Sequence, residues 1–121
     1  MTKRILVVED TEDNRQILRD LLTAAGFDLI EAVDGESGVA MARAHKPDLI
    51  LMDIQLPMID GYEATRRIKA DPALTHIPVI AVTSYALSGD EEKTRAAGCN
   101  GYIAKPFSPR QLLNKVREFV G

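Results

Sequence analysis

Leu49-Ile50-Leu51-Met52-Asp53-Ile54-Gln55-Leu56-Pro57 carries four apolar residues straight into a carboxylate, with Lys46-Pro47 breaking the chain just ahead of them. An unbroken apolar run of this length reads as a strand buried on both faces, the kind found in parallel sheets covered by helices. Ile5-Leu6-Val7-Val8 does the same and ends in Glu9-Asp10. Two buried strands therefore finish in acids, and if the strands run parallel the acids share one edge of the sheet.

Outward from these strands, apolar runs at 5–8, 49–52 and 79–82 alternate with segments of helical periodicity, most clearly at Ile17, Leu18, Leu21 and Leu22. Arg4 to Val8 reads as the first strand, 13–25 as the first helix with Gly26 as its stop, and Asp28 to Ala32 as a second strand. The polar residues of that second strand suit a sheet edge. Asp34-Gly35 turns the chain into a helix reaching about Ala44, and Asp60-Gly61 opens a third helix that Asp71-Pro72 closes. His76-Ile77-Pro78 leads into a strand at 79–82, and Ser88-Gly89-Asp90-Glu91 offers a capping box for a fourth helix that Gly98 stops. A short strand is expected from Gly101 to Ala104, then a last helix with Ser108 as N-cap and Pro109 at its first position.

Parallel neighbours need a crossover, so five such units predict an α/β doubly wound, flavodoxin-like sheet of order 2-1-3-4-5. Ligands of these sheets sit at the carboxyl ends of the strands where the winding reverses, here between strands one and three. Those strands end in Asp10 and Asp53.

At 121 residues the chain is expected to form a single domain over 1–121, with no room for a second output domain. Net charge is -3 and the basic residues are scattered, which disfavours nucleic acid. Acids follow Lys3-Arg4 and the first apolar run too closely for a signal peptide, and no run approaches the ~18 apolar residues of a membrane span. Cys99 has no partner for an intrachain disulfide, and a reducing cytoplasm is the expected compartment. His45 and His76 lie at element boundaries without ligand partners and are assigned no chemistry.

The same edge gains Thr83-Ser84 from strand four and Lys105-Pro106 from strand five. Glu9, Asp10 and Asp53 together would repel one another and raise each other's pKa, so a cation is needed to keep them ionised. Mg²⁺ suits them, because it takes one or two carboxylates, several waters and a phosphate oxygen. That combination points to phosphoryl chemistry, with Asp53 as the carboxylate nucleophile, Lys105 as a point charge on the phosphoryl oxygens and the Thr83 hydroxyl as a donor that senses the group.

Glu9-Asp10, Asp53, Thr83 and Lys105-Pro106, at these spacings, resemble a response-regulator receiver (CheY-like) domain. The wording from Lys46 to Pro57 and Gly89-Asp90-Glu91-Glu92 is similar to single-domain receivers of the DivK type. The resemblance implies a two-component switch and no enzyme in the ordinary sense. Asp53 would be phosphorylated by a sensor histidine kinase or a histidine phosphotransferase, while Glu9, Asp10, Asp53 and the main-chain carbonyl of Gln55 organise Mg²⁺. Glu9 stands where Asp is frequent in the family and would reach the metal through water.

The resemblance further implies that Thr83 moves toward the phosphate and that Tyr102 couples this movement to the face of helix four, strand five and helix five. A downstream protein partner would bind there, with the domain monomeric or dimerising on phosphorylation. Gln55 and Tyr85 would tune phosphate lifetime.

Three rival readings meet obstacles in the residues. A haloacid-dehalogenase-like phosphatase needs a second acid two residues past the nucleophile, and position 55 is Gln. A nucleotide or flavin site would favour a Gly-rich or hydroxyl-rich loop after strand one, where Thr11-Glu12-Asp13-Asn14-Arg15 has no glycine and adds negative charge. A phosphate-independent interaction module would not need the full set of acids, hydroxyl and lysine.

Overall fold

The computed structural model describes residues 2–84 and 90–120. Strands β1 (Arg4–Val8), β2 (Asp28–Ala32), β3 (Leu49–Asp53), β4 (Val79–Thr83) and β5 (Gly101–Ala104) alternate with helices α1 (Glu12–Ala24), α2 (Gly35–His45), α3 (Gly61–Ala70), α4 (Asp90–Ala97) and α5 (Pro109–Val120). All strand pairs are parallel and the order is β2-β1-β3-β4-β5, as the alternation of apolar runs and helices predicts.

Burial explains the sequence pattern. Every residue of β3 and β4 is buried, whereas β2 is half covered at the sheet edge its polar residues suggested. On one face Leu6, Val8, Ile50 and Met52 pack with Val39 and Ala42 of α2 and Ala64 and Ile68 of α3. Their alternates Ile5, Val7, Leu49 and Leu51 pack on the other face with Leu18 and Leu22 of α1 and Leu112 and Val116 of α5. Each strand feeds both cores because successive side chains point to opposite faces.

The helix ends follow local chemistry. Gly26 (φ +93°) and Gly98 (φ +103°) take the left-handed conformation that ends α1 and α4, with Phe27 N–H returning to Leu22 O at 3.0 Å and Cys99 N–H to Thr94 O at 2.9 Å. Asp34 caps α2 through Ser37 N–H at 2.7 Å, and Asp60 caps α3 through Glu63 N–H at 2.9 Å. Ser108 and Gln111 cap α5 reciprocally at 3.1 and 2.8 Å, a box of which only the Ser108 half was expected. Boundaries differ from expectation by about a residue, the normal latitude of frayed ends. The expected capping box at 88–91 rests on Ser88, which lies outside the described residues. Among the described residues no helix is long and apolar enough to cross a membrane.

Strand register fixes where the polar ends fall. Val8 pairs with Met52, Asp53 with Val82, and Thr83 with Ala104. Glu9-Asp10, Asp53, Thr83 and Lys105 therefore emerge side by side at the carboxyl edge.

Candidate functional site

Glu9, Asp10 and Asp53 each bring a carboxylate oxygen to within 4.8 Å of the others. Glu9 and Asp53 are buried at 2% and 4% exposure, whereas Asp10 is open to solvent, so one acid of the trio is reached directly by water. Lys105 comes from the far side of the sheet, its Nζ 3.1 Å from Glu9 Oε1 and 3.5 Å from Asp53 Oδ2. The peptide joining Lys105 to Pro106 is cis. Asp53 Oδ1 accepts the N–H of Gln55 at 3.1 Å, which fixes the carboxylate by its own following loop.

The electrostatics set the three acids apart. Burial, and then the charge of Glu9, push Asp53 up to about 6, a rise that Lys105 and the Gln55 N–H reduce without cancelling. Burial also drives Glu9 upward, but the Thr11 N–H, a hydrogen bond with Asp10 and the Lys105 ammonium outweigh it and leave Glu9 below the usual carboxylate range. Asp10 is raised by desolvation and by the neighbouring Glu9. One lysine thus faces three acids, two of them pushed toward the neutral form. An all-oxygen donor set with excess negative charge and one solvent-open ligand fits Mg²⁺, which keeps part of its water shell.

The other expected residues fall as follows. Thr83 is fully buried at the end of β4, and its main-chain carbonyl accepts the Lys105 N–H at 2.8 Å, so hydroxyl and lysine are tied through the backbone. Tyr102 is half-buried in β5, opposite Ala81 and so one row below Asp53 in register but two strands away, and it lines a groove with Lys115. Gln55 follows Asp53 directly in the loop. Tyr85 lies outside the described residues. Cys99 is half-buried, and burial raises its thiol pKa, in keeping with an unreactive side chain.

Reading the chain missed Asn14, Arg15 and Gly61. Asn14 Nδ2 donates to Glu9 Oε1 at 3.3 Å and Arg15 Nη1 to the Glu9 carbonyl at 2.8 Å. Gly61 opens α3 against the end of β3, where a Cβ would strike the main-chain oxygen of Asp53 and approach Ile54 Cα to 2.7 Å. Asp60-Gly61 signalled a helix start, but nothing local announced that this start is pressed onto the backbone of Asp53.

A parallel sheet wound in this order, with its acids and a lysine gathered where the winding reverses, is the build of a CheY-like signalling domain. A family model described as the response regulator receiver domain matches residues 5–117. The chain is 47% identical over 121 residues to the polar-differentiation response regulator DivK of Brucella ovis, covering 100% of this chain and 98% of that relative.

Among solved structures, the receiver domain of sensor histidine kinase PA1611 from Pseudomonas aeruginosa PAO1 superposes with a TM-score of 0.93 at 38% identity, covering 100% of this chain and 99% of that one. That structure holds a magnesium ion coordinated in its active site cleft. Chemotaxis protein CheY4 of Vibrio cholerae superposes with a TM-score of 0.93 at 25% identity, over 98% and 99% of the two chains. The chain belongs to the response regulator receiver family and is a two-component response regulator.

Proposed function

We propose that residues 1–121 act as one receiver domain in which Asp53 takes a phosphoryl group from a phosphohistidine of a sensor histidine kinase or histidine phosphotransferase. The observation that carries this reading is the buried Asp53 carboxylate with Lys105 Nζ at 3.5 Å on one oxygen and the Gln55 N–H at 3.1 Å on the other. With its pKa at about 6, Asp53 is predominantly the ionised nucleophile at neutral pH. An Asp53 oxygen attacks phosphorus and forms the O–P bond as the P–N bond breaks. The imidazole nitrogen leaves with the bonding pair and takes a proton from solvent. Lys105 offsets charge on the transferred oxygens.

Asp10, Asp53 and the main-chain carbonyl of Gln55 would hold Mg²⁺, with Glu9 acting through water. When bound, Mg²⁺ supplies charge neutralisation at the phosphoryl oxygens. The Thr83 hydroxyl turns to the new phosphoryl group, and Tyr102 carries the change to the surface of α4, β5 and α5, where a protein partner binds or a dimer forms. Gln55 and Tyr85 set how readily water reaches the acyl phosphate. The site of action is the cytoplasm.

Beside Lys105 opens a cleft of about 440 Å³ walled by Ile17, Leu18, Pro106 and Phe107, which supports approach of the donor protein along α1. Purified protein with Mg²⁺ and acetyl phosphate is expected to gain one phosphoryl group by intact mass, and Asp53→Asn none. An unmodified wild type, or equal modification of Asp53→Asn, would remove Asp53 as the acceptor.

A further inference from the structure

Two side chains of α1, the N–H of that helix's N-cap Thr11, the edge strand β2 and Lys105 hold Glu9 from several sides. Its N–H donates to Ala32 O at 3.0 Å and its carbonyl accepts Arg15 Nη1 at 2.8 Å. Its carboxylate accepts the Thr11 N–H at 3.0 Å on Oε2, and Asn14 Nδ2 at 3.3 Å with Lys105 Nζ at 3.1 Å on Oε1. Arg15 is itself anchored, with Nη2 2.6 Å from Glu12 and Nε 3.5 Å from Glu31 on the edge strand. Its side chain is only 12% exposed, more enclosed than that of Arg19, which is 37% exposed and meets Glu12 and Glu31 rather than Glu9.

We propose that Asn14 and Arg15 are positioning residues of the acceptor site: from α1 they clamp the side chain and main chain of Glu9, and Glu9 thereby holds the Lys105 ammonium beside Asp53. The inference rests on the reading of Asp53 as phosphoacceptor, but it assigns to Glu9 a lysine-holding role and to α1 a part in site geometry. The longer Glu side chain matters here, because its carboxylate reaches the Thr11 N–H, Asn14 and Lys105 together. A fork-shaped guanidinium suits Arg15, since it can serve a carbonyl and two carboxylates at once.

The test compares Arg15→Met and Asn14→Ala with Arg19→Met, which removes ion pairs from the same network without touching Glu9. Mg²⁺ affinity is measured by calorimetry without any phosphodonor, the Lys105 ε-methylene signal is followed by ¹H–¹³C NMR at fixed pH, and thermal melting is recorded alongside. Arg15→Met and Asn14→Ala are expected to weaken Mg²⁺ binding about tenfold or more and to move the Lys105 signal, as loss of a residue orienting a site does. Arg19→Met should lower the melting temperature while leaving both readouts at wild-type values. Arg15→Lys, which keeps a single donor for the Glu9 carbonyl, should recover part of the affinity and serves as the folded alternative if Arg15→Met does not fold.

Equal weakening in Arg15→Met and Arg19→Met, or wild-type Mg²⁺ affinity and an unmoved Lys105 signal in Asn14→Ala and Arg15→Lys, would overturn the proposal. Because no phosphoryl transfer enters these readouts, they fail independently of the acceptor assignment, which the acetyl phosphate experiment decides.

Discussion

The two flanks of the carboxyl edge are held in opposite ways. On the β1 side, α1 turns two leucines into the core, Leu18 and the fully buried Leu22, and braces Glu9 through Asn14 and Arg15. On the β5 side, α4 reads Asp-Glu-Glu-Lys-Thr-Arg-Ala-Ala, and Thr94 and Ala97 are the side chains it buries among the described residues. Fully burying a leucine is worth about 1.5–3 kcal/mol, whereas a threonine and an alanine offer much less apolar surface. The flank beside Glu9 is anchored by buried leucines, whereas α4, one element of the flank proposed to carry the signal, buries much less apolar surface among its described residues than α1 or α5. Low local stability is where switching elements are expected to be drawn from.

The largest effect should come from the anchored flank. Leu22→Ala removes a side chain with no exposed surface and should cost about 3–5 kcal/mol in urea unfolding. A loss below about 1 kcal/mol would mean that α1 is no better anchored than α4.

Next in size is Lys105→Ala, which leaves the buried Glu9 and Asp53 without their shared cation and should cost about 3 kcal/mol at pH 8 in the absence of metal. Adding Mg²⁺ should recover part of that loss, and no recovery would argue that Lys105 and the metal do not answer the same excess charge.

Asp53→Asn should act in the reverse direction. The folded pKa of Asp53, about 6, lies above the ordinary value of 3.8, so the fold favours its protonated form. Its contribution to stability is fully present below about pH 4 and is lost as pH rises through about 6. The metal-free wild type should therefore lose up to about 3 kcal/mol over this window, since each pH unit between the unfolded and folded values is worth about 1.4 kcal/mol. Asp53→Asn should lack that loss and be the more stable protein at pH 8. Parallel pH profiles of the two proteins, measured by urea denaturation, would contradict the raised pKa.

The smallest effect is expected on the loosely held flank. Thr94→Ala breaks the hydroxyl bond to Glu91 O at 2.7 Å and should cost about 1 kcal/mol. Hydrogen exchange should show α4 opening well before α1 in both the variant and the wild type. Equal protection of the two helices would erase the contrast between the flanks.

Much of this architecture is legible along the chain because the cues are local. Leu49 to Met52 needed no distant information to read as doubly buried, and Gly26 and Gly98 announce helix ends by the conformation they alone accept freely. The hold on Glu9 was not legible for a physical reason: Arg15 reaches back six residues to a main-chain carbonyl, a contact fixed by how α1 leaves the sheet. Gly61 likewise reads as a helix start, and its close approach to Asp53 exists only once α3 has packed.

The sequence by itself determined that five parallel strands alternate with helices and that acids, a threonine and a lysine stand at strand ends, since periodicity is local and parallel crossovers send those ends to one edge. Tertiary structure decided what each group is. Glu9 and Asp10 are adjacent acids whose burial the sequence does not reveal, yet one is buried and held below the usual carboxylate range while the other is exposed and raised. Charge state depends on burial and on neighbours far along the chain, and the lysine that answers Glu9 stands 96 residues away.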